Sequence, residues 1–328
     1  MGDSHFPKRG RDLSWATIIL KKLGASPTYD TPNGMKGDGI DYNGVPVSEF
    51  SSLKSDKSPV ETRYADYLES SETLLEYLNA NIDVKEKFYS AGNALNATYF
   101  QIKARDEALA AMGKKADLCD TLIGWLNERI DPETGYCSPI KGLAGTNGFF
   151  KVITIYNSWG YPYPAIERAT ETVIDVIAGD EETPGNSCSV YNLWVALGSA
   201  RYNAASCHPA DTASKVLEKI DAKIRSNAKD IILKTYSKQS AFQKPDGSFG
   251  HKHEGNPREH QGSIPTGLGI DEGNVDAISR CTMGILSPIF RTLGLTPVPM
   301  YGEREWNLYL DIIKNAKPTK KENTTIYR

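Results

Sequence analysis

Residues 158–164, Ser-Trp-Gly-Tyr-Pro-Tyr-Pro, end an apolar run with a glycine that is closely followed by prolines. Related endings occur at Lys22-Leu23-Gly24 before Pro27 and at Thr292-Leu293-Gly294 before Pro297 and Pro299, with weaker copies at Met112-Gly113 and Leu197-Gly198. Glycine takes the left-handed conformation that ends a helix, and proline cannot extend a helix. The repeated ending therefore predicts a series of helices with regular stops.

Two kinds of helical segment alternate between these stops. The strongly apolar set, rich in small residues, comprises residues 12–23, 91–111, 147–159, 188–203 and 274–293. The amphipathic set comprises residues 62–80, 115–130, 164–178, 211–238 and 303–316. A helix that is apolar nearly all round must be buried, whereas an amphipathic helix covers it. The sequence thus predicts an all-α fold of five inner–outer hairpins, with Ile19, Ile153 and Trp194 buried.

Two turn motifs carry a resemblance to a known group of folds. They are residues 125–136, Trp-Leu-Asn-Glu-Arg-Ile-Asp-Pro-Glu-Thr-Gly-Tyr, and residues 242–250, Phe-Gln-Lys-Pro-Asp-Gly-Ser-Phe-Gly. Both resemble the turn between helices in α/α-toroid proteins, which include terpenoid cyclases, prenyltransferase β-subunits and six-hairpin glycosidases. The resemblance implies an α/α toroid of about five to six helix hairpins, with an inner and an outer ring, and these motifs specify the fold but no reaction.

Length and charge limit the classes of protein. We expect one domain over residues 1–328, with long loops at 25–61 and 239–273 and a flexible tail at 317–328. The net charge of −3 comes without a basic stripe, which argues against nucleic-acid binding. No apolar run approaches the ~20 residues of a membrane span. Five widely spaced cysteines without a C-x-x-C motif predict reduced thiols and a cytoplasmic protein, with a removed leader as the alternative.

The predicted ring places polar residues at one mouth. Inner helices of a toroid run in the same direction, so their N-termini meet, with unpaired N–H groups and positive dipole ends that suit an oxygen-rich or anionic ligand. We predict that an oligosaccharide or another polar small molecule binds there, to Arg11, Asn93, Asn147, Lys151, Asn186 and Asn274, with Tyr136 and Phe249 as aromatic contacts. Helix capping is the alternative role for the asparagines.

Candidate catalytic residues belong to two schemes. Glycoside hydrolysis needs two carboxylates, for which Asp12, Asp271 and Glu272 are the candidates. Lysis of a uronide needs a base, a proton donor and a group that neutralises the substrate carboxylate. His251 or His253, Tyr191, and Arg11 or Lys151 fit these three roles. The histidine spacing matches no zinc motif, so we predict no metal and no cofactor.

The resulting prediction is a carbohydrate-active enzyme, a glycoside hydrolase or polysaccharide lyase that acts in the mouth of the toroid. One alternative is a non-catalytic scaffold or ligand-binding toroid. Another is an isoprenoid cyclase, whose Asp-rich motif residues 271–276 match poorly. Opposed carboxylates in the mouth would favour a hydrolase, and a basic groove would favour a lyase. A dry aromatic cavity would favour a cyclase, and a filled centre would favour a scaffold. The loop 239–273 is expected to lie over the rim where the inner helices begin.

Overall fold

The fold is helical throughout the part of the chain that the structure describes. The computed structural model describes residues 19–21, 23–29, 36–40, 44–46, 64–180, 184–245, 247–253, 277, 280–296 and 302–315. Its helices are α1 Ser71–Asn81, α2 Phe88–Ala111, α3 Leu118–Asn127, α4 Gly142–Trp159, α5 Ile166–Ala178, α6 Ser187–Ser206, α7 Ala210–Ser240, α8 Met283–Leu293 and α9 Glu303–Asn315. These ranges contain no strand, only isolated bridges, which confirms the all-α prediction. None of these helices is long and apolar enough to cross a membrane.

The predicted glycine stops are confirmed where the chain turns out of a helix. Gly24, Gly160 and Gly294 have φ angles of 65°, 78° and 66°, and Gly113 has a φ of 67°. These angles lie in the left-handed region that glycine adopts without a steric penalty. The weaker stop at Gly198 is wrong, because α6 continues through it to Ser206.

The helices pack in two layers that follow the alternation in the sequence. The apolar helices lie side by side in the order α2, α4, α6 and α8. The amphipathic helices cover them: α3 lies on α2, α5 lies on α4 and α6, and α7 lies on α6 and α8. Within this outer layer, α1 packs on α3 and α5 packs on α7.

Burial separates the two layers, with one exception near the start of the chain. Ile153 of α4 and Trp194 of α6 are fully buried, as predicted. Ile19 was expected in the core but is 54% exposed, so that prediction is wrong. Ile19 is not among the residues of the apolar cluster that the inner and outer helices form together.

A buried lysine joins two outer helices. The ammonium group of Lys238 in α7 donates hydrogen bonds to the carbonyls of Ile177, at 2.9 Å, and of Gly179. These carbonyls belong to the last turn of α5 and the residue after it, where a cation satisfies orphan acceptors and meets the negative end of the helix dipole. Burial lowers the pKa of the Lys238 ammonium, which the nearby Asp180 partly offsets.

The turn at residues 131–138 is part of the core. Asp131 accepts hydrogen bonds from the backbone N–H groups of Glu133 and Thr134, which fold the chain back on itself. Tyr136 is fully buried, its ring stacks 4.8 Å from the ring of Phe149, and its hydroxyl pairs with Thr146. The prediction that Tyr136 contacts a ligand from an exposed turn is therefore wrong.

Two helical glycines give a matched test of this packing. A methyl group on Gly145 in α4 would overlap the carbonyl of Ile140, whereas a methyl group on Gly124 in α3 would meet open space. Alanine in place of a mid-helix glycine gains about 0.5–1 kcal/mol, and overpacking costs about 1–3 kcal/mol. Chemical denaturation should show Gly124→Ala more stable than the parent and Gly145→Ala less stable. Equal stability of the two variants would contradict the described contact.

Candidate functional site

The loop after α7 lies over the first turn of α6. The backbone N–H of Ser187 donates to the carbonyl oxygen of His251 at 3.0 Å, and Nδ1 of His251 lies 3.3 Å from Oγ of Ser187. Nε2 of the same ring lies 3.8 Å from Sγ of Cys188. His251 is only 3% exposed. The described part of the loop thus covers an inner-helix start, as predicted, with His251 against that start.

A second thiol completes this group, which we call the α6-start cluster: Ser187, Cys188, His251 and Cys281. Cys281 is fully buried, and burial raises the pKa of its thiol to about 12, with a hydrogen bond from Ser187 acting in the opposite direction. The side-chain amide of Gln239 in α7 donates to the carbonyl of Cys281. The cluster therefore joins α6, α7 and the residues before α8 at one end of the inner row.

Two cations lie beside the α6-start cluster, and we call them the cation pair: Lys151 of α4 and Arg280. Burial, and then the positive charge of Arg280, lowers the pKa of the Lys151 ammonium, while Cys188 acts in the opposite direction. Nζ of Lys151 lies 4.7 Å from the centre of the Phe150 ring. Two neighbouring cations in a half-buried place are an arrangement that suits an anionic group.

Tyr191 connects the cation pair to a groove. The guanidinium carbon of Arg280 lies 5.4 Å from the centre of the Tyr191 ring. Tyr191 also lines a cavity of about 680 Å³ between α6 and α8, the α6–α8 groove. Its other walls include Val195, Gly198, Tyr202, Gly284 and Arg291. This volume falls in the range of about 300–1,000 Å³ that is typical of small-molecule sites.

Three asparagines behave differently at the starts of the inner helices. Oδ1 of Asn186 accepts the backbone N–H of Ser189 at 3.1 Å, so this side chain caps α6, which is the alternative role expected for the asparagines. Oδ1 of Asn147 is buried and has no hydrogen-bond partner among the described residues. It lies one turn before Lys151 on α4, on the same face of the helix. Asn93 is half-buried on α2, one residue after Gly92, whose backbone packs against Lys151.

His253 and Phe249 make contacts that hold the loop after α7 in place. Nδ1 and Nε2 of His253 lie 3.1 Å from the carbonyl of Ala241 and 2.7 Å from the carbonyl of Pro184, and its ring stacks on Phe242. Phe249 packs against the apolar core. These contacts give both side chains a structural role in the loop, and the roles of His253 as a base and Phe249 as a substrate contact stay predictions.

The remaining predicted residues lie outside the described part of the chain. They are Arg11, Asp12, Asp271, Glu272 and Asn274. The described residues thus bring together Lys151, Tyr191 and His251 from the predicted set. They add Cys188 and Arg280, which the sequence analysis missed, although Cys188 follows Asn186 at an inner-helix start and that position was the available clue.

Comparisons of this chain with protein-family models, curated proteins and solved structures gave no match. Among the described histidines, cysteines and carboxylates, no group of three or more lies in an arrangement that would hold a metal ion. The site is therefore characterised by its own contacts.

The lowered pKa of Lys151 makes a prediction about stability. A lysine whose pKa is lower in the folded than in the unfolded state destabilises the fold at neutral pH, and this penalty fades as rising pH removes its proton. Lys151→Met should therefore have a higher Tm than the parent at neutral pH, with a smaller difference at alkaline pH. Lys215→Met, an exposed change on α7, should leave the Tm nearly unchanged. A lower Tm for Lys151→Met would contradict the role of burial.

Proposed function

We propose that the protein is a carbohydrate-active enzyme whose substrate is an anionic polysaccharide, and that it acts as a polysaccharide lyase. The observation that carries this proposal is the cation pair next to Tyr191 at the end of the α6–α8 groove. A uronide has a carboxylate beside the carbon that loses a proton in lysis. Cations placed at that carboxylate stabilise the charge that develops there.

Each described residue has a defined role in this scheme. Lys151 and Arg280 hold the carboxylate of the uronide. Tyr191 exchanges the proton: it takes the proton from the carbon next to the carboxylate and gives a proton to the departing glycosidic oxygen. Loss of the carbon–oxygen bond leaves a carbon–carbon double bond in the product. His251 does not fill the role of base here, because both of its ring nitrogens contact residues of α6.

The hydrolase alternative rests on carboxylates that lie outside the described residues. Asp12, Asp271 and Glu272 were its candidates. The lyase scheme needs a neutralising group and a proton carrier, and described residues supply both. The cation pair, which hydrolysis of a glycoside does not require, is the reason that we favour lysis over hydrolysis.

We also propose that the two-layered array is part of an α/α toroid. The support is the side-by-side order α2, α4, α6, α8, with outer helices between them in the sequence. Consecutive inner helices of such an array run in the same direction, so the starts of α4 and α6 share one rim. Lys151 and Tyr191 both lie within the first three turns of their helices.

A binding assay and a turnover assay test the enzyme proposal separately. Polygalacturonate, alginate and a neutral glucan would be compared by affinity electrophoresis, and turnover by the ultraviolet absorbance of an unsaturated uronide. We expect binding to at least one of the uronates and not to the glucan. Lys151→Gln and Arg280→Gln should weaken that binding at least about tenfold, since each removes a charge-assisted contact. Tyr191→Phe should bind but lose turnover.

The exposed Lys215→Gln on α7 is the matched charge control and should behave like the parent. Binding without turnover in the parent would support the second candidate, a non-catalytic toroid that binds uronides. Equal retardation by uronates and by the neutral glucan, or binding that survives both cation-pair substitutions, would contradict the proposal.

A further inference from the structure

The contact between Cys188 and His251 gives the α6-start cluster a chemistry that uronide lysis does not use. Sγ of Cys188 lies 3.8 Å from Nε2 of His251, and Nδ1 of the same ring lies 3.3 Å from Oγ of Ser187. When Nδ1 carries the proton and donates it to Ser187, Nε2 presents its lone pair to the thiol. A nucleophile, a base and a residue that orients the base are thus in contact.

Positive groups lie near Cys188. Cys188 and Arg280 both act on the pKa of the Lys151 ammonium of α4, Cys188 in the upward and Arg280 in the downward direction. His251 comes from the loop, and the positive end of the α6 dipole lies at the first turn, which contains Cys188. Thiols become reactive in such electropositive places.

The four other cysteines of the chain have thiols with raised pKa values. Burial raises the pKa of the thiols of Cys119, Cys137 and Cys281 to about 12, and it also raises the pKa of Cys207. These four therefore stay protonated at neutral pH. They supply internal references for the reactivity of Cys188 within one protein.

The α6–α8 groove offers a route to the thiol. Residues 188, 191, 195, 198 and 202 recur at three- and four-residue spacing, so they share one face of α6. Tyr191, Val195, Gly198 and Tyr202 of this face line the groove, and Cys188 lies one turn closer to the start of the helix. Cys188 is 5% exposed, so a ligand that reaches it must be small or must enter along the groove.

We propose that Cys188 and His251 form a nucleophile–base pair that hydrolyses a carboxylic ester whose acyl or alcohol part carries an anionic group. The thiol proton moves to Nε2 of His251 and the sulfur attacks the ester carbonyl carbon. The carbon–oxygen bond of the ester then breaks, the alcohol leaves with the proton from His251, and a thioester remains on Cys188. Water gives a proton to His251 and attacks the thioester, which releases the carboxylic acid and restores the thiol. The cation pair recognises the anionic group of the ester.

This activity does not rest on the lyase proposal, because it uses Cys188 and His251 and needs no proton transfer by Tyr191. Lysis is followed by the absorbance of an unsaturated uronide and acylation by a thioester on Cys188, so the unaltered chain reports each activity independently. The two proposals can therefore fail separately.

The experiment uses p-nitrophenyl acetate and p-nitrophenyl succinate as probes of the folded full chain. We expect a burst of one nitrophenolate per chain, faster with the anionic succinyl ester, and peptide mass spectrometry should locate the acyl group on Cys188. Cys188→Ser should abolish the burst, and His251→Gln should slow it at least about tenfold, as expected for the loss of a base. Cys207→Ser is the matched control, a half-buried thiol outside the cluster, and should retain the burst.

A steric variant tests the route. Gly198 has open space around the position where a side chain would begin, so Gly198→Leu narrows the groove without disturbing the core. It should slow acylation of Cys188, while Gly124→Leu on the outer face of α3 should not. Circular dichroism would establish that each variant is folded. If His251→Gln does not fold, the burst of Cys188→Ser alone tests the proposal. Acyl groups on Cys137 or Cys207 at the same rate as on Cys188, or an unchanged burst in Cys188→Ser, would overturn the proposal.

Discussion

The buried side chain of Asn203 fixes the relation of α4 to α6, and the rest of the site depends on that relation. Its amide nitrogen donates to Oδ1 of Asn157 at 2.8 Å and to the carbonyl of Tyr161 at 3.0 Å, and its oxygen accepts the N–H of Tyr163 at 2.8 Å. One wholly buried amide near the end of α6 thus pairs with a side chain near the end of α4 and with two backbone groups of the turn after it. A buried amide that is this well satisfied specifies one arrangement, because any shift would leave polar groups unpaired. The cation pair and Tyr191 can share a ligand only while these two helices keep their register.

Most helices of the described residues could be predicted from the sequence because their signals are local. Apolar and amphipathic segments alternate along the chain, and the stops at Gly24, Gly160 and Gly294 are recognised from the prolines that follow them. Gly198 could not be assigned correctly from local sequence. It resembles a helix stop, but the flanking apolar residues pack in the core and α6 continues past it to Ser206. Tyr136 fails for a related reason. Its turn looks exposed next to glycine, but the turn folds inward and stacks the ring on Phe149, which only the tertiary structure determines.

The site was predicted in part, and the part that was missed is long-range. Lys151 and Tyr191 were chosen because the helix starts of an inner ring meet at one rim, which is a geometric argument that needs no contacts. His251 was chosen from the histidines of the loop 239–273, which was expected to lie over the same rim. The pairing of Cys188 with His251 joins residues 63 positions apart, and it depends on the path of a loop that no local pattern specifies. Arg280 was not predicted as a site residue because it lies inside an apolar segment of the sequence. Its importance comes from its neighbours, Tyr191 and Lys151, which belong to two other helices.

In the proposed function a ligand binds at the end of the inner row and not on the outer layer. Tests of the proposed chemistry need substituted variants, whereas the location of the ligand-binding site can be tested on the unaltered chain. Hydrogen exchange measured by mass spectrometry, with and without galacturonate oligomers, reports protection peptide by peptide. We expect slower exchange in residues 147–151 and 187–195 on addition of the oligomers, and unchanged exchange in residues 211–230 of the outer helix α7. Protection confined to α7, or exchange in the two inner segments that the oligomers leave unchanged, would contradict the central claim.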